Sequence, residues 1–225
     1  MLITRQVRLF EHTDKVVKAY LTLLLKRFRK IQRQLSFDEL NIMQSVNEEW
    51  EQINKLMRDC LLEIALFYYK VACNSCKPKD YDDQEIAMWY AGLLDETGVS
   101  TWFSQYMQGY DPVTHYSFFP ESDRKRARLI EAILSVKTMQ DRKKQLDIAT
   151  RYIARQLEQT ADDVTMASIK KAFEDAGVHL VEWVTQHDER VCAECEPRDG
   201  QIFELKDLPP LPAHYNCRCF IVPVR

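Results

Sequence analysis

The sequence predicts an α+β protein: a mostly α-helical body followed by a small C-terminal β unit with a Cys/His metal site. The chain has only 5 glycines in 225 residues, which favours helices over turn-rich sheets. Residues 1–176 repeat apolar side chains at helical spacing, whereas residues 177–225 are β-branched and aromatic between loops of Pro, Asp and Gly. We therefore expect a helical body at 1–176 and a metal-stapled module at 177–225, called the C-terminal module below.

Within the body, the apolar pattern predicts a first helix over residues 11–35 and a long second helix ending near Ala72. The stretch "SFDE", Ser36 to Glu39, is a capping box that opens the second helix. A shorter helix is expected from Asp82 to about Leu94, ended by "ETGVS". Residues 109–120 form an aromatic-rich connection. Three amphipathic helices follow over 121–135, 138–160 and 165–177, and Gly177 is the C-terminal stop of the last.

Charge is distributed in blocks along the chain. Residues 1–35 carry 9 Lys and Arg against 2 acids, and residues 121–155 carry 10 against 5, whereas the intervening residues carry 5 against 14. Such blocks mark interaction faces, here the basic runs Lys26–Arg33 and Arg124–Arg128, although each run is also what a solvated helix face looks like. The first residues do not resemble a secretory signal, and "YLTLLL" is too short to span a membrane. We expect a protein made in a reducing cytoplasm.

The cysteine spacing in residues 191–219 predicts a structural metal site. Cys192 and Cys195 form a C-x2-C pair, and "HYNCRC" offers His214, Cys217 and Cys219 as three candidates for two further places. A tetrahedral zinc ion takes thiolates and imidazoles as two such pairs from two loops, and a strand would place Cys217 and Cys219 on one face. The spacing favours one structural zinc ion, and an iron–sulfur cluster remains an alternative. The donor that does not bind the ion would support one of the ligands.

Other interpretations of these cysteines are weaker. A disulfide needs an oxidising compartment, and nothing in the sequence indicates one. Free cysteines are often small buried apolar residues, but these four lie beside Asp, Glu, Arg and Pro, which weakens that interpretation. Zinc deaminases also combine H-x-E with C-x2-C, but here His187 and Glu189 lie on the same short turn as Cys192, which leaves no room for a substrate pocket. We therefore expect no enzymatic activity. A second C-x2-C, Cys73 and Cys76, is interpreted as packing at a helix end.

The stretches "EWVTQHDERVCAEC" and "LPPLPAHYNCRC" resemble the end of the phage head morphogenesis proteins, the minor head proteins of the phage Mu F type. The resemblance covers about residues 170–225, and Ala213 departs from it because the family usually has Pro there. The matching positions are Thr185, Asp188 to Cys192, Cys195, Asp199 with Gly200, Pro209 to Pro212, and His214 to Cys219.

The resemblance implies a minor capsid protein of a tailed phage or prophage, made in the bacterial cytoplasm and located in the virion. Its implied partners are the portal protein or the major capsid protein and, further, the packaged DNA. It implies a role in head assembly or DNA delivery. A DNA-binding zinc module and a metal-dependent toxin or enzyme remain alternative functions. Independently of the family, we expect Asp188 to accept backbone N–H groups in its turn, Gly200 to adopt positive φ, and Arg218 to pair with Asp188, with Glu189 or with a partner.

Overall fold

The computed structural model describes residues 2–77, 82–109, 122–214 and 217–224, and the side chains from residue 11 onward. It confirms the α+β class, with helices followed by a three-stranded antiparallel sheet. The helices are α1 (Leu2–Gln34), α2 (Glu39–Cys76), α3 (Asp83–Ala91), α4 (Glu96–Gly109), α5 (Ser122–Leu134) and α6 (Met139–Asp175). The strands are β1 (Leu180–Val184), β2 (Ile202–Glu204) and β3 (Phe220–Pro223), and β1 lies between the other two.

The chain divides into two compact units, and α2 and α6 contribute to both. The first unit comprises Met1–Leu62 and Gln105–Ala161, and the second comprises Glu63–Ser104 and Asp162–Arg225. The metal-site candidates and the sheet therefore belong to the second unit.

In the first unit, α1 and α2 bury apolar stripes at the spacing expected of amphipathic helices. Phe28, Ile31 and Trp50 are each at most 3% exposed. The carboxylate of Glu49 is buried between Arg27 and Lys30 of α1, with Arg27 Nη1 at 3.4 Å. These two cations therefore hold α1 against α2.

In the second unit, a buried hydrogen-bond network joins three segments. The Tyr69 hydroxyl donates to Asp175 Oδ2 at 2.7 Å and accepts the Leu94 N–H at 2.9 Å. Burial and the hydrogen bond to Asp175 raise the pKa of Tyr69 well above its usual range. The hydroxyl thus stays protonated and holds the ends of α2 and α6 beside the turn before α4.

Three expectations about the helices were wrong. The cap of α2 is Asp38, whose Oδ1 accepts the Leu40 N–H at 3.0 Å, whereas the Ser36 hydroxyl donates to the Asp38 carbonyl at 3.4 Å. "ETGVS" does not end a helix but begins α4, where Asp95 accepts the Gly98 N–H at 2.7 Å.

The third difference concerns residues 138–177, which form the single helix α6 and not two helices. Residues 161–164, between the two predicted helices, continue the helix, and three of the four are buried. Ser168 satisfies its own hydroxyl by donating to the Val164 carbonyl at 2.6 Å. The predicted stop is confirmed: Gly177 has φ +72°, and Val178 N–H donates to the Phe173 carbonyl at 2.9 Å. The aromatic connection at 109–120 lies largely outside the described residues.

Candidate metal centre

Two loops beside the sheet supply the five candidate ligands, which we call the cysteine–histidine cluster. The loop after β1 supplies Cys192 and Cys195, and the segment leading into β3 supplies His214, Cys217 and Cys219. The short β1 pairs with β2 through Val181 and Phe203 and with β3 through Trp183 and Ile221. Because β3 runs antiparallel to β1, with Val184 opposite Phe220, the loop after β1 and the segment leading into β3 lie at the same end of the sheet.

Backbone hydrogen bonds make each loop a tight turn. The Cys192 carbonyl accepts the N–H groups of Cys195 and Glu196, both at 3.0 Å. The Cys217 N–H donates to the His214 carbonyl at 3.1 Å. Gly200 has φ +73°, as expected, and its N–H donates to the Trp183 carbonyl at 2.8 Å, which returns the chain to β1. The short spacing within each pair therefore directs its side chains to one place.

The ligand atoms form two overlapping groups that share Cys195. One group contains Cys192, Cys195 and His214, the other contains Cys195, Cys217 and Cys219, and the atoms in each lie within 4.8 Å of one another. His214 Nε2 lies 3.0 Å from Cys192 Sγ and 3.1 Å from Cys195 Sγ. Cys195 Sγ lies 3.8 Å from Cys217 Sγ. The structure thus brings all five predicted residues together.

The spacing of these atoms matches a tetrahedral ion only in part. Two thiolates on tetrahedral zinc stand about 3.8 Å apart, given a Zn–S distance of about 2.3 Å, and Cys195 and Cys217 meet that value. A thiolate and an imidazole nitrogen on zinc stand about 3.6 Å apart. His214 is about half an ångström closer to its two sulfurs than that, as in thiol–imidazole hydrogen bonds. Among the described residues, no four of the five donor atoms lie within 4.8 Å of one another, so a bound ion requires the two groups to move closer together.

The protonation states of the cluster also suit a cation. Burial raises the pKa of Cys195 to about 12, whereas the hydrogen bond from Cys219 lowers the pKa of Cys217 to about 5. Donating that bond, together with burial, raises the pKa of Cys219. Neighbouring buried thiols cannot all ionise because their charges repel. A divalent cation in their midst would offset that repulsion and displace the protons.

One buried group in the cluster lacks a partner. Trp183 is completely buried and packs with Cys195, Cys217 and Cys219. Its indole Nε1 has no hydrogen-bond partner among the described residues. A buried N–H donor without an acceptor is costly, and a metal-bound thiolate is a stronger acceptor than a thiol. The position of Trp183 therefore fits thiolates in the cluster.

Two side-chain contacts hold the loops from outside, one between Arg218 and Asp188 and one between Asp199 and His187. Arg218 Nη2 donates to Asp188 Oδ1 at 2.6 Å, which confirms the expected pairing and lowers the pKa of Asp188. Asp188 Oδ1 also accepts the Arg190 N–H at 3.0 Å, as expected for its turn. Since Arg218 lies between Cys217 and Cys219, its contact joins the second loop to the first.

The second of these contacts, made by Asp199, was not predicted from the sequence. Asp199 accepts the Thr185 N–H at 2.7 Å and contacts His187 Nε2 at 2.8 Å, so it closes the first loop. Burial acts to raise the pKa of Asp199, but these hydrogen bonds hold it below its usual range. Asp199 precedes a glycine and therefore resembles an ordinary turn residue. Two signals could have found it: its match to the family motif with Gly200, and its place four residues after Cys195.

The remaining candidates lie apart from the cluster. His187 contacts Asp199, and within the described residues neither it nor Glu189 belongs to a ligand group. Cys73 is buried near the end of α2, and burial raises its pKa to about 11, in keeping with a packing role. Cys76 is half-buried.

We expect Asp199→Ala to destabilise the C-terminal module by about 1 kcal/mol, because the Thr185 N–H loses its acceptor, whereas the exposed contact to His187 contributes little. Hydrogen–deuterium exchange of β1 and the first loop measures the change. Asp207→Ala is the matched control, since Asp207 is exposed and lies in the same module. Equal protection in the two variants would show that Asp199 does not brace the loop.

Residues 126–222 match the model of a family described as Phage Mu protein F like protein. The match confirms the resemblance noted in the cysteine motif and extends it upstream from about residue 170 through α6 and into α5. No curated protein and no solved structure matches the chain. The family match supports a phage head-related protein with capsid-related partners and a location in the virion. Of the helices in the described ranges, none has the length and apolarity needed to cross a bilayer.

Proposed function

We propose that this chain is a minor capsid protein of a tailed phage or prophage that associates with the portal protein or the inner capsid and assists head assembly or DNA delivery. The observation that carries the proposal is that the whole cysteine–histidine cluster falls inside residues 126–222, the stretch that matches the Mu F-like family. Under this proposal, the C-terminal module contacts the partner proteins, and a bound metal ion holds its two loops in place.

We further propose that the cluster holds one structural zinc ion. Thiolates combined with an imidazole are ligands that zinc prefers, and tetrahedral zinc needs four of the five donors. A catalytic zinc ion keeps one position open for water, whereas this cluster oversupplies protein ligands. The ion therefore contributes folding free energy and no chemistry, and the proposal includes no enzymatic activity.

The experiment is quantitative mass spectrometry of phage particles purified from the strain that carries the gene, with and without the gene. We expect the protein in purified particles at far lower abundance than the major capsid protein, and cross-links from it to the portal or capsid. Particles should lose infectivity when the gene is deleted and regain it on complementation. A protein that is expressed but absent from the particles would contradict the proposal.

A further inference from the structure

The outward face of α1 carries a row of cations without a carboxylate between Lys15 and Arg33. We call these residues the α1 stripe: Lys15, Lys18, Lys26, Arg29 and Arg33. They follow one another at steps of three or four residues, with Thr22 at the one neutral step, so they share a helix face. At 1.5 Å per residue the stripe is about 27 Å long. Its acidic neighbours Glu11 and Asp14 lie just before it.

The fold does not use these charges. All five side chains are exposed. Among the described residues, none of them forms an ion pair or a side-chain hydrogen bond. Arg27 and Lys30, on the same helix, differ because they pair with the buried Glu49. The α1 stripe is therefore a linear row of uncompensated positive charge, separate from the cations that hold α1 to α2.

The surroundings of the stripe indicate the kind of partner. The opposite face of α1 is buried through Val16, Leu24 and Phe28, so the helix cannot insert an apolar face into a lipid surface. The stripe itself contains no aromatic or apolar residue that could form the apolar centre of a protein interface. The apolar residues Leu23 and Leu25 lie on opposite sides of the stripe and outside it. A row of charge fits a linear polyanion. Duplex DNA carries one phosphate charge per about 1.7 Å, and the stripe spans about eight base pairs.

Charge also differs between the two units. The first unit carries 21 Lys and Arg against 15 Asp and Glu, whereas the second carries 10 against 19. The C-terminal module is acidic as well, with 5 against 8. A polyanion is therefore attracted to the first unit and repelled by the second, which argues against DNA binding by the metal module.

We propose that the α1 stripe binds the phosphate backbone of duplex DNA without reading its sequence. The inference deepens the proposed function by naming a partner, the DNA in the head. Each phosphate contact releases condensed counterions, so affinity should fall with salt. Because phosphate contacts carry no base information, duplexes of different sequence should bind equally well.

The test is the affinity of the purified full-length chain for a labelled duplex, measured by fluorescence anisotropy over a salt series. Five contacts predict a slope of about −4.5 in log K against log salt. The triple variant Lys18→Gln, Lys26→Gln, Arg29→Gln should bring the slope to about −1.8 and weaken binding at 0.1 M salt by about a hundredfold or more. Glutamine preserves helix propensity at exposed positions.

The matched control removes three exposed lysines elsewhere in the first unit: Lys55→Gln, Lys143→Gln and Lys144→Gln. We expect this variant to lose less than about fivefold, because distant surface charges are screened. Equal losses in the two triple variants, or no salt-dependent binding, would overturn the proposal. Polyglutamate or phosphatidylserine vesicles that bind as tightly as DNA would also overturn it. None of these results bears on whether the protein is found in virions, so this proposal can fail while the proposed function stands.

Discussion

Cys195→Ser is expected to abolish metal binding and to unfold the C-terminal module while the first unit stays helical. Cys195 is the one residue shared by both ligand groups, and its side chain is buried. Structural zinc supplies roughly 10–16 kcal/mol of folding free energy in small zinc modules. The three strands of this sheet have 5, 3 and 4 residues and cannot replace that contribution.

The measurement combines native mass spectrometry, for metal content, with limited proteolysis, for the module. We expect about one zinc ion per wild-type chain, less than about a tenth of that in the variant, and cleavage confined to residues after α6. Cys76→Ser is the control, because Cys76 lies outside both ligand groups. A Cys195→Ser protein that keeps its metal, or a metal-free wild type with a protected module, would refute the structural zinc site.

Single substitutions at the other four positions then define the ligands. Since four donors complete a tetrahedral shell, one of the five cluster residues should be replaceable with metal retained. His214 lies at close range to Cys192 and Cys195, whereas Cys217 and Cys219 belong to the other group. The variant that keeps its zinc identifies the supporting donor.

Local sequence signals predicted the metal site more accurately than they predicted the helix boundaries. The C-x2-C and H-x2-C-x-C spacings depend on short turns, and a few backbone hydrogen bonds suffice to form them, as those at the Cys192 carbonyl show. Gly177 and Gly200 were predictable for the same reason, because positive φ is a local property. Such features hardly depend on the rest of the fold.

Features set by tertiary contacts could not be predicted. Arg142, which is distant in sequence, donates to the Ser36 carbonyl just before the cap at Asp38. Ser168 is completely buried within the continuous α6 and donates to the Val164 carbonyl, and its burial cannot be known from the local sequence. Asp199 gains its role from Thr185 and His187, across the loop that it closes. Each of these requires knowing which segments meet.

Trp183→Ala is expected to destabilise the C-terminal module by about 3–5 kcal/mol, the range for deleting a buried aromatic side chain. Trp183 is completely buried at the centre of β1 and contacts the cluster cysteines. The Phe203 ring lies edge-on at 6.3 Å, and the Arg198 guanidinium lies 5.2 Å from the indole. Its removal therefore separates the sheet from both metal-binding loops.

Trp183→Phe distinguishes the packing role of Trp183 from its hydrogen bond. Phenylalanine fills much of the indole volume but removes an Nε1–H that has no protein acceptor among the described residues. With metal, loss of a donor to a bound thiolate should weaken zinc affinity by about tenfold or more, as for other groups that support ligands. Chelator competition measures the affinity, and Trp89→Phe, outside the module, is the control. Unchanged zinc affinity in Trp183→Phe would show that the indole N–H does not serve a thiolate, and that Trp183 acts through packing alone.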